Sequence, residues 1–365
     1  MKDLIRKNIL KISPYVPGKP IEEVERELGI KNIVKIASNE NPLGPSPMAI
    51  SAIKKYLKKI NLYPDGNCYE LKRALAKKFN LKEENFVIGC GSDEIIHLIV
   101  LAFLNKDEEV ITGFPSFVIY YTNTHLMDGR LKIVKLRDFT YDLKRIKEKI
   151  TNKTKIIFIA NPNNPTGTIV KNKEVEEFLR DLPEKIIVVF DEAYYEYVDD
   201  KEFPQIISYI KEGRNIISLR TFSKIYGLAG LRIGYGIGNS KLVSYLNRVR
   251  EPFNVNSLAQ VAALAALKDK EFVKKSQRLN FSEKNFLYKE FEKLNLFYIP
   301  TQANFIFLDT GVDSGIVFKN MLKDGVIIRS GDIFGFPTFI RVTIGKREEN
   351  IRMLTSLKKI LEKFK

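Results

Sequence analysis

The chain is poor in the residues that most often carry chemistry, with two cysteines, Cys68 and Cys90, and two histidines, His97 and His125, among 365 residues. So few cysteines exclude a disulfide framework, and an isolated bridge is out of keeping with a cytosolic chain. A Cys/His zinc site would need nearly all four residues to converge, and none has ligand spacing. Neither histidine sits in a nucleophile motif, so a Ser-His triad is not supported. Long apolar runs are also missing. The longest, around residues 95–103, falls far short of the roughly 20 residues that span a bilayer. Met1-Lys-Asp-Leu-Ile-Arg has neither the apolar core nor the cleavage site of a signal peptide. The expectation is a soluble, cytoplasmic protein with no membrane partner, whose chemistry comes from a borrowed group or from Lys, Asp, Tyr and Arg.

What is abundant is positive charge: 60 Lys+Arg against 44 Asp+Glu, a formal net charge of +16. Such an excess suits nucleic acid, but its pattern does not. Lys54, Lys55, Lys58 and Lys59 punctuate a helix whose apolar face reads Ile50, Ile53, Tyr56, Leu57, Ile60. Near the end, Ile351, Leu354, Leu357, Leu361 and Phe364 form one stripe with Lys and Glu elsewhere. Both are solvated helix faces, so no nucleic-acid partner is expected.

From about residue 70 to 245, short apolar strand candidates alternate with amphipathic helical stretches. Residues 85–89, 109–112, 155–160, 186–190, 216–219 and 233–236 read as strands; 70–79, 94–104 and 175–182 read as helices. That alternation predicts an α/β domain with a mainly parallel sheet covered by helices on both faces. After Pro252, one long helical region (258–294), three strand candidates and a terminal helix predict a smaller α+β domain, joined by the N-terminal segment. The expected division is an arm over 1–35, a large domain over 36–250 and a small one over 251–365. Ligands of such sheets bind beyond the carboxyl ends of the strands.

Four loops at those ends carry unusual residues. Gly89-Cys-Gly-Ser-Asp-Glu94 lets a backbone approach a phosphate, and Ser92 or Asp93 opens a helix. It lacks the third glycine of a dinucleotide fingerprint, and Gly234-x-Gly236-x-Gly238 lacks that motif's helix and spacing. In Asn161-Pro-Asn-Asn-Pro-Thr-Gly167, two prolines leave Asn163 and Asn164 as amides displayed at the sheet edge. Asp191-Glu-Ala-Tyr-Tyr195 puts a carboxylate at the end of a buried strand, at a cost of several kcal/mol unless a partner meets it. Thr221-Phe-Ser-Lys224 follows another strand, with Arg232 eight residues on. Each loop alone has a bland reading as a cap, a turn or a solvated lysine. Together, an acid for a ring nitrogen, a lysine able to form a Schiff base and donors for a phosphate describe a pyridoxal-phosphate site.

At Asn-Pro-Thr-Gly (Asn164 to Gly167), Asp-Glu-Ala-Tyr (Asp191 to Tyr194) and Ser-Lys-x7-Arg (Ser223, Lys224, Arg232) the chain resembles the fold-type I pyridoxal-phosphate aminotransferases of the class I/II superfamily. Pro14-Tyr-Val-Pro-Gly18, Ser38-Asn-Glu-Asn-Pro42, Leu62-Tyr-Pro-Asp-Gly66, Gly91-Ser-Asp-Glu94, Asn304-Phe-Ile and Ile340-Arg-Val-Thr-Ile-Gly345 narrow the likeness to the branch acting on histidinol phosphate. The resemblance spans nearly the whole chain and implies a large domain with a seven-stranded type of sheet.

It implies that Lys224 holds the cofactor as a Schiff base and then serves as general base, its pKa lowered by nearby Arg232 and the conjugated ring. Asp191 would pair with the pyridine nitrogen, Tyr194 and Asn164 with the ring hydroxyl oxygen. Ser92 and Asp93 N–H groups, Thr221, Ser223 and Arg232 would hold the phosphate, and Phe117 would stack on the ring. Tyr63 would reach the phosphate of a neighbouring subunit, implying a homodimer with shared sites. Arg341, Arg329 and Tyr15 would bind substrate anions. The implied reaction is a ping-pong exchange between L-histidinol phosphate and 2-oxoglutarate. Its products are 3-(imidazol-4-yl)-2-oxopropyl phosphate, also called imidazole-acetol phosphate, and L-glutamate. An aromatic aminotransferase or a threonine-phosphate decarboxylase shares the cofactor motifs, and only the substrate pocket separates them. A basic nucleic-acid-binding protein on a degenerate enzyme fold is the alternative from another class.

Overall fold

The computed structural model describes residues 4–14 and 18–364. Its centre is a seven-stranded sheet in the order Phe86–Gly89, Gly234–Gly238, Ile216–Thr221, Ile187–Asp191, Thr154–Ala160, Glu109–Phe114 and Arg130–Lys135. All pairings are parallel except the two made by Gly234–Gly238, which runs against both neighbours. The α/β architecture with a mainly parallel sheet is therefore as expected.

The central strands carry unbroken apolar runs because helices cover both faces. Ile156 to Ile159 and Ile187 to Phe190 are all buried, and they join Ile95, Ile99, Val175 and Leu246 from the flanking helices in one core. Strand ends differ from the sequence reading by a residue or two, and Ile216–Thr221 continues through the polar Arg220 and Thr221. Arg130–Lys135 was not anticipated. It is an edge strand, paired on one side only, so Arg-Leu-Lys-Ile-Val-Lys has no continuous apolar run to reveal it.

The C-terminal part forms an antiparallel sheet in the order Arg329–Ser330, Phe339–Thr343, Phe305–Asp309, Phe297–Ile299. Helices Lys270–Lys293, Ser314–Lys323 and Arg347–Phe364 contribute to its core through Leu287, Phe291, Val317, Met321, Met353 and Leu357. The N-terminal segment adds Val34–Lys35, paired in parallel with Val326–Ile327, and Val24 packs beside Ala37 and Ile327.

The helical region read over 258–294 consists of two helices, Ser257–Ala266 and Lys270–Lys293. Asp269 makes the break. One carboxylate oxygen accepts from Phe272 N as an N-cap, while the other accepts from Ser46 Oγ at 2.6 Å, tying this corner to the start of helix Pro47–Tyr56. Apolar periodicity runs through such a corner, so only the cap reveals it.

The fold delivers the carboxyl ends of six strands, and the amino end of Gly234–Gly238, to one side of the large sheet. Phe158, fully buried beneath that side, stacks on Tyr120 with ring centroids 4.7 Å apart. Phe158→Ala is expected to cost about 3–5 kcal/mol of stability, read as a lower denaturation midpoint in urea.

Candidate active site

A cleft of about 280 Å³ opens where these strand ends meet the smaller sheet. Its walls bring together Ser92, Asp93, Phe117, Asn164, Asp191, Tyr194, Thr221, Ser223, Lys224, Arg232, Arg329 and Arg341. Tyr63 is not in this wall. It lies 82% exposed, its ring stacked on Phe253 at 4.8 Å. Tyr15 falls outside the described residues.

Asp191 ends its strand with the side chain turned into the cleft. It accepts from Tyr120 Oη at 2.7 Å and from Ala193 N at 3.2 Å. Burial pushes its carboxyl up to about 6, outweighing the Tyr120 hydrogen bond that acts in the opposite direction. The sequence reading overlooked Tyr120. Its one signal was a position three residues after Phe117, at the start of helix Val118–Leu126, where i,i+3 residues share a face.

Lys224 donates from Nζ to Ser38 O at 3.2 Å. Burial lowers its pKa to about 8, and Arg341 is the next cause. Arg232, expected to lower it from nearby, contributes less than Arg341. Arg232 is partly exposed and engaged by other groups: Nη2 meets Asp93 Oδ2 and Nη1 meets Ser223 Oγ, both at 3.3 Å.

Around Arg232 lie the donors that an anion would need. Helix Ser92–Phe103 begins there, with its first N–H groups free of helical partners. Gly91 precedes it at φ +80°, and a Cβ at that position would stand 2.4 Å from Arg232 Nη2. A side chain would thus fill the cradle. Thr221 Oγ1 accepts from Ser223 N at 3.0 Å, which orders the turn that presents both hydroxyls.

The Asn-rich loop divides its work differently from the expectation. Asn163 does not face the ligand side: it is buried, donating to Pro115 O and Thr166 Oγ1 and accepting from Ser116 Oγ. Adjacent amides point apart along the extended loop, so only Asn164 reaches the cleft. Asn164 Oδ1 accepts from Arg341 Nη1, and Arg341 Nη2 donates to Ala37 O at 2.6 Å. Arg341 is buried near the rings of Phe305 and Phe334, at 5.3 and 5.8 Å. Arg329 is its register partner on the adjacent antiparallel strand, so both guanidinium groups leave the same face of the sheet. Tyr194 Oη accepts from Asn39 Nδ2 at 2.8 Å, and burial pushes its hydroxyl up to about 12.

The family model for aminotransferase class I and II matches residues 31–357. The chain belongs to that family. Histidinol-phosphate aminotransferase of Moorella thermoacetica is 52% identical over 357 residues, covering 98% of this chain and 92% of that protein. Its counterpart from Caldicellulosiruptor saccharolyticus is 49% identical, covering 98% and 100%. Among solved structures, histidinol-phosphate aminotransferase from Sinorhizobium meliloti in complex with pyridoxal-5'-phosphate superposes with a TM-score of 0.90 at 28% identity, covering 97% of each chain.

The residues of this aminotransferase fit pyridoxal phosphate. The cradle that a Cβ at Gly91 would fill supplies N–H, hydroxyl and guanidinium donors for a dianion. A buried carboxylate and a half-buried lysine line the same cleft. In the cofactor-free protein, capture of pyridoxal by Lys224 should reach half its maximal rate near pH 8 rather than 10.5. Arg341→Met should move that midpoint upward by removing a cation that disfavours the ammonium form. Absorbance stopped-flow across pH 6–11, with Lys224→Arg as control, measures both.

Proposed function

We propose that this enzyme transfers the amino group of L-histidinol phosphate to 2-oxoglutarate with pyridoxal 5'-phosphate. The products are 3-(imidazol-4-yl)-2-oxopropyl phosphate and L-glutamate, placing the reaction in histidine biosynthesis. The observation that carries the substrate class is the pairing of Arg329 and Arg341 across adjacent strands, both lining the cleft that holds Lys224. One substrate brings a phosphate and the other two carboxylates. A planar guanidinium accepts either anion through paired N–H groups. The 49–52% identity to histidinol-phosphate aminotransferases supports the same substrate.

Bound in the cleft, the cofactor supplies an electron sink through which an amino group and a proton are exchanged. The protein's part is positioning and proton control. Asp191 would hold a proton at the ring nitrogen, and a cationic partner there favours the charged form of a carboxylate that otherwise sits near 6, where burial outweighs its hydrogen bonds. Tyr194 and Asn164 would be hydrogen-bond partners for the ring oxygen, Phe117 would pack against the ring, and the donors from Ser92 to Arg232 would hold the phosphate. The Lys224 amine, neutral from about pH 8, accepts the proton from the substrate carbon and returns it. Because one site serves both half-reactions in turn, the kinetics are ping-pong.

The enzyme works in this reading as a cytoplasmic homodimer. No described helix is long and apolar enough to cross a membrane. Exposed Ile60, Leu62, Tyr63 and Phe253 form an apolar surface that a second copy would cover, delivering Tyr63 to its neighbour's phosphate cradle.

Two experiments test this. Across histidinol phosphate, phenylalanine and aspartate as amino donors, kcat/KM should be highest for histidinol phosphate. Arg341→Met should lower that value roughly 10–100-fold, as loss of charge-assisted hydrogen bonds implies. A preference for phenylalanine or aspartate would assign an aromatic or general aminotransferase instead, and carbon dioxide release from threonine phosphate a decarboxylase. Mixing Tyr63→Phe with Lys224→Ala protomers should recover activity above the mean of the two parents, because hybrid dimers regain one complete site. Activity equal to that mean would sink the shared-site arrangement.

A further inference from the structure

The two strands that end at Asp191 and Thr221 carry a second charged pair on the opposite side of the sheet. Side chains alternate along a strand, so Glu192 and Arg220 turn away from the cleft that their neighbours Asp191 and Thr221 face. The ladder continues one step past the register pair Asp191 and Leu219, with Glu192 N donating to Leu219 O at 2.9 Å. Both side chains are buried, Glu192 at 0% and Arg220 at 3% exposure. Arg220 Nε and Nη2 converge on Glu192 Oε2 at 3.2 and 3.1 Å, and Ser218 Oγ donates to the same oxygen. The Tyr195 ring lies 3.4 Å from the guanidinium carbon and the Phe79 ring 5.2 Å.

Stability does not account for such a pair, since apolar residues of similar volume are often as stable as a fully desolvated ion pair. What the pair adds is direction. A planar fork bonded twice to one oxygen and stacked on a ring holds residue 192 at a set place relative to residue 220. Residues 191 and 221 are their covalent neighbours, so the same contact holds the proposed ring-nitrogen partner at a set distance from the start of the Thr221–Lys224 turn. Charge reaches Asp191 as well: Glu192 is among the groups that push its carboxyl upward.

We propose that Glu192 and Arg220 are positioning residues that set the spacing between Asp191 and the Thr221–Lys224 turn, and through it the affinity for pyridoxal phosphate. This rests on the cofactor reading above. Two variants test it, Arg220→Lys, which keeps the charge and loses the fork, and Glu192→Leu/Arg220→Met, which replaces the pair with apolar side chains. Each is measured for pyridoxal-phosphate affinity by absorbance titration, for the pH midpoint of the bound chromophore and for Tm. A positioning role predicts affinity roughly 10–100-fold weaker and a shifted midpoint in whichever variant folds, the double variant included even where its Tm matches wild type. A folded variant with wild-type affinity and midpoint overturns the proposal, leaving the pair a packing element. Wild-type protein that binds no pyridoxal phosphate overturns the cofactor reading itself, and the inference with it.

Discussion

Keeping a carboxylate and an amine out of water in one cleft is the constraint on which the structure depends. Asp191 and Lys224 each lose hydration, and each responds by a shift toward neutrality, to about 6 and about 8. Those values place both groups within reach of neutral pH, where proton traffic is useful. The surroundings moderate the cost with a few hydrogen bonds, from Tyr120 and Ala193 N to Asp191 and from Lys224 to Ser38 O. A large, rigid core is needed to hold groups in so unfavourable a position. The unbroken apolar strands beneath them provide it.

The same constraint explains why functional groups come from both sheets. The large sheet gathers strand ends on one side and so supplies the acid, the lysine and the phosphate cradle. It does not supply the two arginines proposed for substrate anions. These come from Arg329–Ser330 and Phe339–Thr343 of the smaller sheet. Arg341 links the two by donating to Asn164 and to Ala37 O, so one side chain ties the smaller sheet to the Asn-rich loop. Arg341 also lowers the Lys224 pKa, so the smaller sheet acts on the lysine through charge.

The net charge of +16 takes a different meaning in this setting. Lys54, Lys55, Lys58 and Lys59 lie around the end of helix Pro47–Tyr56, away from the cleft wall. The cations that line the cleft are Lys224, Arg232, Arg329 and Arg341. Few positive charges therefore face a ligand, and their geometry suits small anions rather than a polymer.

Much of the fold was legible in the chain because strand and helix periodicities are local, and because motifs such as Asp-Glu-Ala-Tyr and Ser-Lys-x7-Arg concentrate polar residues at strand ends. The order of elements and the identity of most cleft residues follow from that information. Direction and distance do not. Asn163 and Asn164 are equivalent in sequence, yet one is buried against Pro115 O and the other faces the cleft. Tyr120 and Arg341 exert their influence across 71 and 177 positions, on Asp191 and Asn164. The contact that ties the Asp269 corner to Ser46 spans more than two hundred residues. Hydrogen bonds and desolvation act through space between residues far apart in the chain. Only the packed tertiary structure could decide which atoms meet and how far each pKa moves.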